Sequence, residues 1–360
     1  MLRLMLSLLV AAFAAMIANT VLKVTPFDAN SVVNKTRDIS TTNIKYTSIK
    51  TTNGVHLNTI EVGDRIKDKN KPLVVLLHGF PETALTCWHN QIDALADSGR
   101  YYILAPDMRG YNKSDKPGNF MDYHLINLIS DVHSLIHDYA GREEAYLVAH
   151  DWGAIVAWRF AQTHPGSIKK LTIINVPHPA AAGLLVKHGS WSQVFSQMWK
   201  SWYIAFFQLP NPLPEYRFTN NNYSTLKAAL RDLTSSGKIS ELELQRYVQG
   251  WSEPGAVTSM MNYYRGFLMG NLYGTIKDKL FSTNTYSLPP TTDTIKKPTM
   301  LIWGEQDLAL EFALAGLSYD YGVDESVKSQ SRFVPLAGVS HFATNDAPER
   351  VNELLLEYLN

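Results

Sequence analysis

The chain has 360 residues, 45% hydrophobic and 18% charged, enough apolar mass for a sizeable core in one large domain with an insertion or in two small domains. Its single cysteine, Cys87, excludes an internal disulfide and a thiolate metal cluster as the organising principle. Lysine plus arginine equals aspartate plus glutamate at 33 each, so there is no global basic field for nucleic acid, and a small-molecule ligand is expected.

The first predicted element is apolar. From Leu4 to Leu22 (LMLSLLVAAFAAMIANTVL) no residue is charged, with Arg3 before the stretch and Lys23 after it. As a helix it would span about 29 Å, close to a bilayer core, so residues 1–22 read as a membrane anchor. The competing reading is a cleaved signal peptide, because Ala12-Phe13-Ala14 offers a cleavage site after a short apolar run. The run continues beyond that site, which favours the anchor and an endoplasmic reticulum membrane; cleavage would make the protein secreted. Arg3 on one side and Lys23, Lys35 and Arg37 on the other leave the orientation open. Sequons at Asn34, Asn112 and Asn222 matter only on a lumenal or extracellular face.

Strand patterns follow. Lys45–Ile49 and Val55–Val62, joined around Thr52-Asn53-Gly54, predict a hairpin with an Asn-Gly turn. Short apolar runs then recur at Leu73–Leu77, Tyr101–Ala105, Ala145–Ala149, Leu171–Ile174, Met300–Trp303 and Arg332–Pro335. Most are separated by helical patterns, such as Leu125 to Tyr139, and the alternation predicts an α/β fold with a mostly parallel, doubly wound sheet. The rhythm breaks between Asn175 and Pro290, a helical, aromatic-rich stretch containing Trp191, Trp199, Trp202, Tyr203, Phe206, Phe207, Tyr263 and Tyr264. It reads as an inserted cap over residues 176–290, with the core at 40–175 and 291–360.

One stretch, VAHDWGA, places Asp151 where a buried strand runs into the helix pattern AIVAWRFAQTH, and the small Ala149 and Gly153 suit a tight strand-to-helix corner. An aspartate there is equally readable as the N-cap of the following helix. Two further motifs favour a nucleophile. His78-Gly79-Phe80-Pro81-Glu82 follows the strand LVVLL, and its Phe80 N–H, with that of Trp152, would form an oxyanion hole. His341, in Gly338-Val339-Ser340-His341-Phe342, follows the strand RFVPL and is the candidate base. The acid that orients it comes from one of two loops. The end of Leu171–Ile174 presents the neutral Asn175, whereas the end of Met300–Trp303 presents Asp307, with Glu305 as the weaker competitor.

Taken in order, HGFPE, Asp107-Met108-Arg109-Gly110-Tyr111, HDWG, WGEQD and SHF over roughly residues 45 to 360 resemble the epoxide hydrolases of the α/β-hydrolase fold, and in particular their membrane-anchored, animal epoxide hydrolase-like group. The resemblance implies two cap tyrosines whose hydroxyls hold the epoxide oxygen. They match Tyr203 in SWYIAFFQLP and Tyr264 in MNYYRGF, with Tyr263 as the neighbouring alternative; among 18 tyrosines, composition would not have selected them. Trp88 and Asn175-Val176-Pro177-His178 resemble structural features of the family. Ala149 and Ala154 depart from it, standing where relatives often carry glycine.

Chemically, a carboxylate needs no deprotonation at neutral pH, so Asp151 can open an epoxide directly and form an ester. The phenols serve the leaving oxygen, and His341, oriented by Asp307, activates water against the ester, giving a vicinal diol. No metal or organic cofactor is required; the expected partners are an apolar epoxide, water and a membrane, and not nucleic acid. A haloalkane-type dehalogenase shares the nucleophile and could use Trp152 as a halide donor, and a non-catalytic binding protein could retain the fold. Trp202, Phe206, Phe207, Met260, Met261 and Phe267 suggest an apolar passage, hence lipid or fatty-acid epoxides.

Overall fold

The computed structural model describes residues 44–231, 233, 236–281 and 294–360. The N-terminal apolar stretch, the Asn34 sequon and residues 282–293, at the end of the expected cap and the start of the following core segment, lie outside them. No helix among the described residues is long and apolar enough to cross a membrane.

An eight-stranded sheet organises the described residues: β1 (Lys45–Lys50), β2 (His56–Val62), β3 (Leu73–Leu77), β4 (Tyr102–Pro106), β5 (Ala145–His150), β6 (Ile168–Ile174), β7 (Thr299–Gly304) and β8 (Arg332–Leu336). Its spatial order is β1-β2-β4-β3-β5-β6-β7-β8. The β1–β2 and β2–β4 pairs are antiparallel and every other pair is parallel. Central strands such as LVVLL in β3 are buried along their whole length, as a sheet covered on both faces requires. Their period-two alternation divides the core. Leu73, Val75 and Leu77 join Leu104, Leu128 and Trp158 on one face, while Val74 and Leu76 join Trp88, Ile103 and Leu355 on the other.

The predicted strands are all present; Leu73–Leu77 coincides at both ends, and no other end is shifted by more than three residues. The hairpin turn differs: Thr51 to Val55 form a five-residue loop closed by Thr51 N to Val55 O at 2.8 Å, and of Asn53 and Gly54 only Gly54 has a positive φ, +87°. A two-residue type I′ turn needs positive φ at both central positions. The pattern from Leu125 to Tyr139 is an α-helix to His133 that widens into a π-turn over Ser134–Tyr139.

Between β6 and β7 the chain leaves the sheet and builds helices: Ala181–His188, Trp191–Lys200, Trp202–Phe206, Leu213–Ala229, Glu241–Ser252 and Ala256–Phe281. The Leu213–Ala229 segment is two helical pieces broken at Asn220–Tyr223, where three consecutive residues have positive φ. The order of the strands makes β3 the switch point, with β4 on one side and β5 on the other, so the loops after β3 and β5 diverge and leave a crevice at the carboxyl edge. Leu77 pairs with Ala149 there, which sets Phe80 beside Asp151.

Candidate active site

Asp151 sits at the corner between β5 and the helix Trp152–Thr163 with φ +47° and ψ −123°, a strained conformation for a residue with a Cβ. Its side chain makes no capping bond to the helix it precedes, so the N-cap reading is overturned. Oδ1 instead accepts the Phe80 N–H at 2.6 Å, and Oδ2 lies 3.3 Å from His341 Nε2. Such strain persists only where packing enforces it. A Cβ on Gly153 would stand 2.3 Å from the Leu77 carbonyl oxygen, and one on Gly79 would stand 2.3 Å from Asp151 Oδ1, so glycine at both positions lets β3 and the corner approach.

His341 lies in the loop between β8 and the helix Ala343–Asp346, with Nδ1 2.7 Å from Asp307 Oδ2. Asp307 is buried at the end of β7, its Oδ1 accepting the N–H groups of Ala309 and Leu310 at 2.7 and 2.9 Å. Glu305 is exposed, which removes it as the orienting acid. Burial opposes the charge on His341, but the carboxylates of Asp307 and Asp151 on either side win and hold its pKa well above the ordinary value. Burial likewise raises the pKa of Asp151 and Asp307, and the paired imidazole overrides it, leaving both below the usual carboxylate range. The three groups form an alternating acid, imidazole, acid line.

A cavity of about 430 Å³ opens over this line, with Asp151, His341, Tyr203 and Tyr264 in its walls among apolar side chains such as Trp202 and Phe207. The rings of Tyr203 and Tyr264 meet edge to face at 5.7 Å. Burial is the largest cause raising both phenol pKa values, with Asp151 and Asp307 adding to it at Tyr203 and with Tyr203 and Asp151 adding to it at Tyr264, so both hydroxyls stay protonated and able to donate. Tyr263 donates its hydroxyl to the Arg109 carbonyl at 2.8 Å and is packed against Trp152, which removes it as the alternative to Tyr264. Of the expected apolar passage, Trp202 and Phe207 line the cavity, whereas Phe206, Met260 and Met261 are buried core and Phe267 is partly exposed.

With this geometry in place, the comparisons are specific. Residues 72–311 match the α/β hydrolase fold family. AB hydrolase superfamily protein YfhM of Bacillus subtilis is 35% identical over 309 residues, 86% of this chain and 96% of that protein. Epoxide hydrolase 4 of Mus musculus is 31% identical over 312 residues, 85% of this chain and 77% of that protein. The crystal structure of Bacillus megaterium epoxide hydrolase in complex with an inhibitor superposes with a TM-score of 0.70 at 28% identity, covering 88% of this chain and all of that one. The chain belongs to the epoxide hydrolase-like α/β-hydrolase family.

Within this epoxide hydrolase-like frame, three contributors escaped the sequence. Asn175, passed over because it is neutral, has φ +53° and donates to Asp307 Oδ2 at 2.8 Å while accepting the Gly304 N–H at 3.0 Å. It positions the acid. Glu82 and His150, to which the sequence assigns no role, are both fully buried; His150 Nδ1 is 2.9 Å from Glu82 Oε2, and Nε2 donates to the His341 carbonyl at 2.9 Å. Only the adjacency of β3 and β5 could have revealed the pair. Glu82 and His150, with Cys87, also place three ligand-type atoms within 4.8 Å. They fit a metal poorly, since Glu82 Oε2 and His150 Nδ1 already face each other and burial pushes the Cys87 thiol far above its ordinary pKa. Asp107 and Arg109 of the DMRGY motif are structural. Asp107 Oδ1 accepts the Ala84 N–H at 2.9 Å, and Arg109 pairs with buried Asp131 at 2.6 Å.

Proposed function

We propose that the chain hydrolyses an epoxide to a vicinal diol through an ester on Asp151. The observation that carries this reading is a carboxylate at the nucleophile corner that shares one cavity with two phenols, buried Tyr264 and partly buried Tyr203. Because Oδ1 is held by the Phe80 amide, Oδ2 is the oxygen that attacks the ring carbon, and Oδ1 becomes the ester carbonyl oxygen already seated at a donor. Tyr203 and Tyr264 donate to the departing epoxide oxygen. Ester formation also removes one of the two carboxylates that keep His341 charged, so its pKa falls and it discharges a proton, which restores the phenol that gave one up. The neutral imidazole, held by Asp307, then takes a proton from water attacking the ester carbonyl. Phe80 and Trp152 amides receive the oxyanion, whose collapse breaks the bond from the carbonyl carbon to Oδ2; the diol leaves with the proton of the new carboxyl group, and the Asp151 carboxylate is restored beside protonated His341.

Trp202, Phe207 and Phe218 in the cavity wall support an apolar epoxide, with lipid or fatty-acid epoxides as the substrate class. A location at the endoplasmic reticulum membrane goes with that substrate and rests on the Leu4–Leu22 stretch. The dehalogenase reading is weaker, because the ring of Trp152 packs edge-on against Tyr264 at 4.9 Å and against Phe267, while the phenols face the cavity.

Oxygen tracing tests the proposal. A single turnover of an epoxide in ¹⁸O-water should give unlabelled diol, and repeated turnover should place ¹⁸O in the peptide containing Asp151. Label in the diol on the first turnover, with that peptide light, would replace the ester route by direct attack of water. Binding without consumption would leave only a receptor.

A further inference from the structure

The helix Trp191–Lys200 is built inside out. Four of its five apolar residues, Trp191, Phe195, Met198 and Trp199, fall at i, i+4, i+7 and i+8, the stripe by which a helix ordinarily joins a core, and the fifth, Val194, packs against the core. Here that stripe faces outward, with Trp191 71%, Phe195 54%, Met198 48% and Trp199 62% exposed. Ser196, Gln197 and Lys200 face the protein instead. Ser196 donates to Glu311 Oε2 at 2.6 Å, the Gln197 amide bridges the Ala309 carbonyl and the Glu311 N–H, and Lys200 donates to the carbonyls of Asp307 and Leu310. Four large apolar side chains on one exposed helical face mark an interaction surface.

Two observations select the occupant. From Trp152 to Pro214 the chain contains no aspartate or glutamate, Lys187 stands exposed just before the stripe, and Glu311, a carboxylate that meets the helix from another element, is paired with Lys200 at 3.4 Å, so the region favours an anionic surface over a basic protein. Outside the described residues, the uncharged stretch Leu4–Leu22 is joined to β1 by residues 23–44, a linker that reaches up to about 70 Å when extended, enough for the body to lie on the layer in which that stretch would sit. We infer that Trp191, Phe195, Met198 and Trp199 form an interfacial docking surface that rests in the headgroup layer of an anionic bilayer. The helix grips the loop that carries Asp307 and leads directly into Trp202–Phe206, which carries Tyr203; Lys200, Trp202 and exposed Leu308 line the cavity. Docking therefore lays the cavity beside lipid.

The test reads binding and does not depend on the proposed reaction. Because Cys87 is buried, an environment-sensitive fluorophore can be attached to full-length Phe195→Cys, Trp199→Cys and, as control, Lys69→Cys in the exposed turn at the amino edge of the sheet. On phosphatidylcholine–phosphatidylserine vesicles containing a shallow spin-labelled phospholipid, the labels at 195 and 199 should lose about half their fluorescence, as expected for side chains within the interface, and the label at 69 should not. Equal quenching at all three positions, no quenching at 195 and 199 on vesicle-bound protein, or no vesicle binding at all would overturn the inference. So would labels at 195 and 199 already shielded without vesicles, which means a second copy if the shielding rises with concentration and the chain's own N-terminal stretch if it vanishes when residues 1–22 are removed.

Discussion

At residue scale the chemistry turns on a partition of labour that single substitutions separate. The phenols of Tyr203 and Tyr264 stay protonated through burial and the field of Asp151, so in the proposed mechanism they act on the departing epoxide oxygen and on nothing later. Tyr203→Phe or Tyr264→Phe should slow ester formation roughly 10- to 100-fold, one donor of two being lost, and leave ester hydrolysis within about twofold. Rapid-quench measurement of the two steps checks this; equal slowing of both removes the phenols from the role. How legible these residues were differs with their dependence on neighbours. Asp151 and His341 are visible because each follows a strand pattern in the chain, and Asp307 because a carboxylate is what an imidazole needs. Tyr203 and Tyr264 were selected only through resemblance, and only the Tyr263 bond to the Arg109 carbonyl separates Tyr264 from its neighbour.

At the scale of elements, the β5 corner depends on how closely β3 and the following helix approach. Gly153→Ala would drive a Cβ to 2.3 Å from the Leu77 carbonyl oxygen, a backbone atom that cannot swing away. It should cost about 3 kcal/mol in urea unfolding. Gly183, inside the helix Ala181–His188, has nothing within 4 Å of an added Cβ, and Gly183→Ala should stabilise by about 0.5–1 kcal/mol through helix propensity alone. Effects of the same sign at both positions would contradict the steric account. The sequence pattern located Gly153 as part of a tight turn. It did not locate Gly79, whose neighbour is Asp151, 72 positions away in the chain and adjacent only because β3 and β5 pair.

For the whole molecule, the line Asp151–His341–Asp307 ties three loops of the sheet edge together and makes stability depend on pH. The folded pKa of His341 is raised, so its contribution is complete below its unfolded value of about 6.5 and is lost as pH rises through the folded value. Asp151 and Asp307 have lowered pKa values, so theirs is complete above about 3.9 and is lost as pH falls through the folded values. The stability difference between the parent and His341→Gln should therefore be largest between about pH 4 and 6.5 and shrink on both sides. Urea unfolding across that range checks it, and a flat difference would mean the imidazole is not held between the two carboxylates. Taken by itself, the sequence determined the alternation of strands and helices, the residues lifted to the strand ends and the helical stretch between β6 and β7, because periodicity and strand-end chemistry are local properties of the chain. Tertiary structure alone decided that Asn175 braces Asp307, that Glu82 and His150 support the loop of His341, and that the stripe of Trp191, Phe195, Met198 and Trp199 faces outward. Each of those follows from which strands pair and which loops a helix grips, and an apolar stripe has the same spacing whether it is turned toward a core or away from it.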